Sequence, residues 1–231
     1  MTVLSAAQSA GIRLIGRKPV NLFSSSEPFS LELSDLATET ATAIAKAHDW
    51  QALMKLCTLT GDGSKVAFDL PPDYDRMPKK AAVHSGSWDR WRYEPARDLD
   101  QWQDLKTFGG TGLPGWWIML GGQMQISTGN GLGIADGETA QFYYLSNSVT
   151  DTGKPAFSAD AEKFVLPERL LTLGLIWRWR AQKRQEYAED LRNYEIALSE
   201  EIGRDKGSQI IAVGAARWPG RVGTSYPGPL G

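Results

Sequence analysis

The chain has 231 residues, of which 42% are hydrophobic and 23% charged, and its formal net charge is −2. A chain of this length can bury one good core, with a smaller accessory region or an arm beside it. The near-neutral charge excludes a global electrostatic attraction to nucleic acid or to an anionic membrane. The one cysteine, Cys57, excludes an internal disulfide and fits a reducing compartment.

The chain shows no targeting or membrane-spanning pattern. No apolar run approaches the roughly 18 residues that a transmembrane helix needs. The amino terminus lacks the basic start and long apolar stretch of a secretory signal. We therefore expect synthesis in a cytoplasm and no membrane partner.

The first part of the chain predicts two helices. Residues 2–14 place Leu4, Ala7 and Leu14 on one helical face. A second helix is predicted over residues 34–53, with Ser34 as the N-cap and an alanine-rich apolar face.

Between residues 55 and 148 the apolar pattern changes to a period of two, which predicts short antiparallel strands. The turn sequence GDGS (residues 61–64) predicts a hairpin between residues 56–60 and 66–68. Gly121-Gly122 predicts a second hairpin. Residues 87–93 and 139–145 are predicted to be strands, and residues 98–106 a short helix.

Two further helices are predicted near the carboxy terminus, over residues 167–182 and 186–205. Their apolar stripes follow helical spacing on either side of a wholly polar break at residues 182–186. The first stripe contains Leu166, Leu170, Leu173 and Trp177, and the second contains Tyr187, Leu191, Tyr194, Leu198 and Ile202.

The last 25 residues, 207–231, hold six glycines and three prolines, and they include Arg217 and Arg221 but no acid. Little regular structure is expected there. The segment nevertheless carries large apolar side chains, namely Ile210, Ile211, Val213, Trp218 and Tyr226. Two interpretations stay open: an arm that orders on a partner, and a flexible end.

The order of helices, strands and helices predicts an α+β protein. We expect a mainly α-helical body with an inserted small antiparallel β region, over about residues 55–148, and an extended C-terminal arm. Residues 1–206 are predicted to form a single domain, and residues 207–231 the arm.

The sequence does not favour catalysis, a metal or a cofactor. His48, His84 and Cys57 stand on unrelated segments, without the spacing of metal ligands. No Gly-x-Ser-x-Gly nucleophile elbow is present. The paired acids, as in residues 73–75 and 189–190, are adjacent in sequence, so their side chains point different ways and are expected to be solvated.

A basic and aromatic cluster lies in the helix at residues 167–182 and just beyond it. Its members are Trp177, Arg178, Trp179, Arg180, Lys183 and Arg184. Such groups can hold phosphates and stack on bases. They can also pair with acids of a neighbouring helix or subunit, and this second interpretation is favoured because Trp177 shares the apolar stripe with Leu173.

The helical segment LLTLGLIWRWR (residues 170–180), followed by YAED (187–190) and YE (194–195), resembles the carboxy-terminal helices of phage adaptor proteins. These proteins are head-to-tail connector subunits, found especially in short-tailed phages. The segments HDWQAL (48–53), LPPDYDR (70–76) and GGQMQI (121–126) resemble further motifs of that family, in the same order. The similarity spans about residues 2–206.

This sequence departs from the family pattern in two places. Family members often carry glycine at the break between the last helices, where this chain has Arg184-Gln185, so we expect the two helices to join more continuously. The segment after Gly207 has no counterpart.

The resemblance implies a structural protein of the virion and not an enzyme. Family adaptors form a ring, typically of twelve subunits, below the portal protein at the head-tail junction. The expected partners are therefore other copies of the chain, the portal, and tail proteins such as a nozzle or tail tube and fibres. Genomic DNA would pass through the channel without sequence-specific binding.

The residues expected to contact portal or a neighbouring subunit are Trp177, Arg178, Trp179, Arg180, Lys183, Arg184, Ile210, Ile211, Val213, Trp218 and Tyr226. Two alternatives stay open. One is a tail-associated cell-wall hydrolase, which would need an acid pair in a cleft. The other is a DNA-binding module that uses the WRWR segment.

Overall fold

The computed structural model describes residues 2–79, 81–86, 92–109, 115–128 and 132–205. Its helices are α1 (Val3–Ile15), α2 (Pro28–Ala47), α3 (Leu99–Asp104), α4 (Glu168–Gln182) and α5 (Ala188–Asp205), with a 3₁₀ turn at Gln51–Leu53 and a π-helical turn at Leu105–Gly109. Its strands are β1 (Met54–Thr60), β2 (Ala67–Asp69), β3 (Tyr74–Arg76), β4 (Val83–Ser85), β5 (Arg92–Pro95), β6 (Trp116–Leu120), β7 (Gln123–Ser127) and β8 (Thr139–Ser146).

The predicted fold class, a mainly helical body with a small antiparallel insertion, is wrong. Helices account for 41% and strands for 23% of the structure, and the strands form an eight-stranded mixed sheet that is nearly closed into a barrel. The sheet is thus a second structural unit with a core of its own. Because single short strands give weak sequence signals, their number and closure are not evident from the pattern.

The strand order is β1-β8-β4-β5-β6-β7-β2, with β3 also pairing with β8. β8 has three partner strands: it pairs with β1 from Met54↔Leu145 to Thr60↔Thr139, and with β3 and β4 on its other side. The β5–β6 pair is parallel, which makes the sheet mixed and not wholly antiparallel as predicted.

One predicted hairpin forms and the other does not. β6 and β7 pair directly across Gly121-Gly122, which confirms the hairpin predicted there. Both glycines have positive φ (62° and 76°), a conformation that residues with a Cβ rarely adopt. The hairpin predicted across residues 61–64 is wrong, because β1 pairs with β8 and β2 pairs with β7.

The second helix begins earlier than its predicted N-cap. Pro28 occupies the first turn of α2, where its missing N–H costs nothing, so Ser34 lies inside the helix. Its carboxy-terminal carbonyls are bound by Arg76 of β3, whose Nη2 donates to the His48 carbonyl oxygen at 2.9 Å and to Asp49 Oδ1 at 3.2 Å. This arginine therefore connects the sheet to the helices.

The described residues form two hydrophobic cores. The helical core is built from α1, α2, α4 and α5 and includes Trp50, whose Nε1 donates to the Ile44 carbonyl oxygen at 2.8 Å. The core of the sheet contains Phe68, Tyr93 and Phe142, among others. Leu145, near the end of β8, belongs to the helical core, so this strand passes from one core into the other.

Candidate partner interface

The helix that carries the basic and aromatic cluster is the centre of the helical unit. α4 packs against α1, α2 and α5. It approaches α2 closely at Gly174, where an added Cβ would lie 2.3 Å from Cγ2 of Thr40. Most sides of α4 are therefore buried. Its sequence accordingly shows no clear division into one apolar and one polar face.

Trp179 is anchored to α2. Its indole is 7% exposed, its Nε1 donates to Oε2 of Glu32 at 2.9 Å, and its ring meets Phe29 edge to face at 5.7 Å between centroids. Lys183 Nζ lies 2.5 Å from the other Glu32 oxygen and 5.6 Å from the centroid of the Trp179 ring. One carboxylate of α2 thus binds both an indole and an ammonium group of α4.

Trp177 and Arg178 make a second set of contacts. Arg178 forms an ion pair with Glu39 of α2, and its guanidinium lies 4.9 Å from the centroid of the Trp177 ring. Trp177 in turn packs against Tyr187 and Tyr194, with ring centroids 6.5 and 6.1 Å apart. These contacts bind α2, α4 and α5 to one another.

The turn between α4 and α5 is a sharp break, so the expectation of a more continuous join is wrong. Arg184 itself adopts the left-handed conformation, with φ of 57°, that glycine favours. The N–H of Gln185 then donates to the carbonyl oxygen of Arg180 at 2.9 Å, which closes the end of the helix. Arg180 Nη1 pairs with Asp190 Oδ2 of α5 at 2.5 Å across this turn.

The structure therefore brings together six of the residues expected at a partner interface: Trp177, Arg178, Trp179, Arg180, Lys183 and Arg184. The first five contact α2 or α5 of the same chain, and Arg184 lies exposed in the turn. The other five, Ile210, Ile211, Val213, Trp218 and Tyr226, lie outside the described residues. Sequence reasoning missed the acidic partners Glu32 and Glu39, because no local pattern singles them out among the surface acids. It expected Asp190 to be solvated, whereas Asp190 pairs with Arg180.

Two carboxylates elsewhere are held by several donors. Partial burial disfavours the charge of Asp73, but hydrogen bonds from Lys55, Ser146 and Tyr144 lower its pKa to about 2. Glu162 is buried as well, and the backbone N–H of Ser158, the Lys154 ammonium and the Ser158 hydroxyl lower its pKa to about 2. Both groups are thereby kept ionised as structural acceptors, and neither has the raised pKa of a general acid.

A groove of about 520 Å³ lies between α1, α4 and α5. Glu168 is the one carboxylate among the described residues that line it, where Arg13 and Arg169 are also found. This groove therefore does not supply the acid pair that glycoside hydrolysis requires. In the described part of the chain, no group of three or more His, Cys, Asp and Glu side chains is arranged to hold a metal.

None of the helices that the structure describes combines the length and the hydrophobicity needed to span a bilayer.

A comparison with models of protein families identifies the family of this chain. The family model of the SU10 adaptor protein matches residues 1–223, which is nearly the whole chain. The chain belongs to the SU10 adaptor protein family. A comparison with curated proteins finds no match.

The SU10 adaptor match confirms the resemblance found in the helical and strand motifs. The protein is a phage adaptor and a component of the virion, where it interacts with other virion proteins. The match extends beyond the segment in which the resemblance was found, into residues 207–223.

Proposed function

We propose that this SU10 adaptor is a non-enzymatic head-to-tail connector that forms a ring below the portal and provides the attachment surface for tail components. The observation that carries the proposal is the family match over residues 1–223. Identical subunits that contact one another through two different surfaces close into a ring when the rotation permits, and twelve copies are expected from the resemblance.

The contacts of α4 support a structural function. Five basic and aromatic side chains of the cluster tie α4 to α2 and α5. These side chains therefore hold the scaffold of the protein together. We propose that the exposed members of the same cluster, Lys183 and Arg184 at the α4–α5 turn, contact portal or a neighbouring subunit. The partly exposed Trp177, Arg178 and Arg180 would extend this surface, and the buried Trp179 would hold it in place.

We further propose that residues 1–206 act as one adaptor domain and that residues 207–231 act as an arm along an adjacent protein. The support is chemical: Ile210, Ile211, Val213, Trp218 and Tyr226 are large apolar side chains in a glycine-rich segment, and aromatic anchors dominate the energetics of many interfaces.

DNA would pass through the ring without sequence-specific contacts. The cations of the WRWR segment are already paired with acids of the same chain, which reduces the charge available for phosphates. No observation in the described residues favours the hydrolase alternative over the connector.

Truncation of the arm tests this proposal. A chain that ends at residue 206 should keep its helical circular dichroism and should bind portal at least tenfold more weakly in sedimentation experiments, since an arm that carries several anchor residues supplies much of an interface. A truncated chain that assembles with portal as well as the full chain does would refute the function of the arm. A full chain that neither forms rings nor binds portal would refute the connector itself.

A further inference from the structure

β1 is a seven-residue strand with one edge that is free among the described residues. One edge pairs with β8 along its whole length, from Met54 to Thr60, and no strand among the described residues pairs with the other. The unpaired N–H and C=O groups of such an edge are a template for another strand. Because β1 and β2 stand at the two ends of the strand order, this edge borders the place where the barrel is not closed.

The surface beside this edge is apolar. Leu56 of β1 lies opposite Tyr143 of β8, and the two side chains are 51% and 52% exposed. Met54, Thr58 and Thr60 continue the exposed row of β1 without a charge. Exposed edges are usually protected by charges, proline or a covering segment. The single charge of β1, Lys55, is bound to Asp73 at 2.6 Å.

The described part of the chain ends next to the start of this strand. Asp205, the last residue of α5, accepts a hydrogen bond from the Gln51 N–H at 3.1 Å, and its carbonyl oxygen accepts another from Gln51 Nε2. Asp205 Oδ2 also lies 3.3 Å from His48 Nε2. Gln51 begins the 3₁₀ turn that leads into β1. The last described residue of α5 therefore lies beside the turn that leads into β1.

The composition of the following segment suits an added strand. Residues 207–216 contain no charge and no proline, and Ile210, Ile211 and Val213 are β-branched. Residues 208–214 match β1 in number, and at about 3.3 Å per residue each spans about 23 Å. In an extended strand Ile211 and Val213 share one face and Ile210 the other. Both faces of such a strand would carry apolar side chains. One face could therefore pack beside Leu56 on the outer surface, and the other could face the interior of the barrel.

We propose that residues 208–214 of the same chain add to the free edge of β1 as a further strand that runs parallel to it and extends the barrel toward β2. The parallel direction follows from the starting point beside Gln51, and the sheet already contains the parallel pair β5–β6. This arrangement does not depend on ring formation. It assigns Ile210, Ile211 and Val213 to the same chain and so limits the arm that reaches an adjacent protein to residues 215–231, with Trp218 and Tyr226. It also places an apolar face of the added strand beside Leu56.

Hydrogen exchange of the β1 amides tests the proposal. We would compare the full chain with a chain truncated after Asp205, at about 1 μM protein, by mass spectrometry of peptides covering residues 54–60. About half of these amides, those that face the free edge, should exchange at least tenfold faster in the truncated chain. Equal exchange in the two chains would overturn the proposal. Unchanged exchange of peptides from α4 shows that the truncated chain is folded.

A pair of proline variants of the full chain provides an independent readout. The double change Ile210→Pro and Ile211→Pro removes two successive N–H groups, one of which must face β1, and should reproduce the loss of protection, whereas Ala215→Pro and Ala216→Pro together, beyond the strand, should not. Equal effects of the two double variants, or none from the change at residues 210 and 211, would overturn the proposal. So would protection that appears only near 100 μM and not at about 1 μM, since it would assign the strand to a second copy.

Discussion

The indole Nε1 of Trp179 lies 2.9 Å from Oε2 of Glu32, and this hydrogen bond joins α4 to α2. Its acceptor also binds the ammonium group of Lys183 at 2.5 Å through the other carboxylate oxygen. Trp179, the second tryptophan of the WRWR segment, and Lys183, one helical turn later, thus hold α4 against α2. The same groups could not bind nucleic acid without leaving this carboxylate unpaired.

Removal of the shared carboxylate should destabilise the protein. Glu32→Ala leaves the buried Trp179 N–H without its acceptor and Lys183 without its partner, and we expect a loss of about 2 kcal/mol in the free energy of unfolding. Urea unfolding followed by tryptophan fluorescence measures it. Glu195→Ala, at an exposed position of α5, is the control and should change stability by less than about 0.5 kcal/mol. Equal effects of the two changes would contradict the importance of the Glu32 contacts.

The close approach of α4 and α2 should make Gly174 intolerant of a larger side chain. An alanine Cβ would lie 2.3 Å from Cγ2 of Thr40, so Gly174→Ala should cost about 1–3 kcal/mol through overpacking. Gly203→Ala in α5 is the matched control, since nothing lies within 4 Å of its added Cβ, and it should stabilise by up to about 1 kcal/mol.

A second substitution identifies the contact that causes the loss. Thr40→Ser removes Cγ2 and should restore part of the stability of Gly174→Ala in a double-mutant cycle. A Gly174→Ala variant that is as stable as Gly203→Ala, or a cycle without coupling, would show that α2 and α4 are not packed as described.

Stability should decrease in acid because of Glu162. Its pKa in the folded protein, about 2, is below the ordinary value of 4.5, so its stabilising contribution is complete above about pH 4.5 and is lost as the pH falls toward 2. Glu162→Gln should therefore cost about 2–3 kcal/mol at pH 7, and less at pH 2.5. Urea unfolding at both pH values measures this difference. A cost that is the same at both values would contradict the lowered pKa, and Glu195→Gln controls for the loss of one carboxylate.

The sequence predicts local features of the fold better than its long-range pairings. The Gly121-Gly122 hairpin and the α3 helix after Asp98 follow from turn and capping residues close in sequence, and the structure confirms both. The pairing of Leu56 with Tyr143 brings together strands far apart in sequence, and nothing near Leu56 encodes it. The sequence predicts a false hairpin at residues 61–64 because GDGS is a good turn sequence, whereas the partner of β1 is the distant strand β8.

At the candidate interface too, the sequence predicts local features better than contacts between distant residues. The sequence predicts one apolar stripe along α4. Its members Leu166 and Leu170 are buried, but Leu173 and Trp177 are only partly buried, whereas Trp179, outside the stripe, is buried. A helix packed on three sides by α1, α2 and α5 has no single buried stripe, so periodicity cannot rank its residues. The acids that pair with the cluster lie on other helices, and no local pattern shows which cation each of them contacts.

The turn after α4 offers a stabilising substitution. Arg184 adopts φ of 57°, a conformation that costs a residue with a Cβ roughly 1 kcal/mol relative to glycine. Arg184→Gly should therefore raise the free energy of unfolding by about 0.5–1 kcal/mol, as measured by thermal unfolding. Gln185→Gly, next to it but without positive φ, should lower stability. A destabilised Arg184→Gly variant would indicate that the guanidinium makes contacts that outweigh the backbone strain.

The connector proposal is tested most directly by mass photometry of the full chain, alone and mixed with the portal protein of the same phage. We predict a saturable addition of about twelve copies to each portal ring, as the resemblance to the family implies, and a mass that stops increasing once the ring is complete. A chain that stays monomeric and does not change the mass of the portal at any ratio would contradict the proposed function.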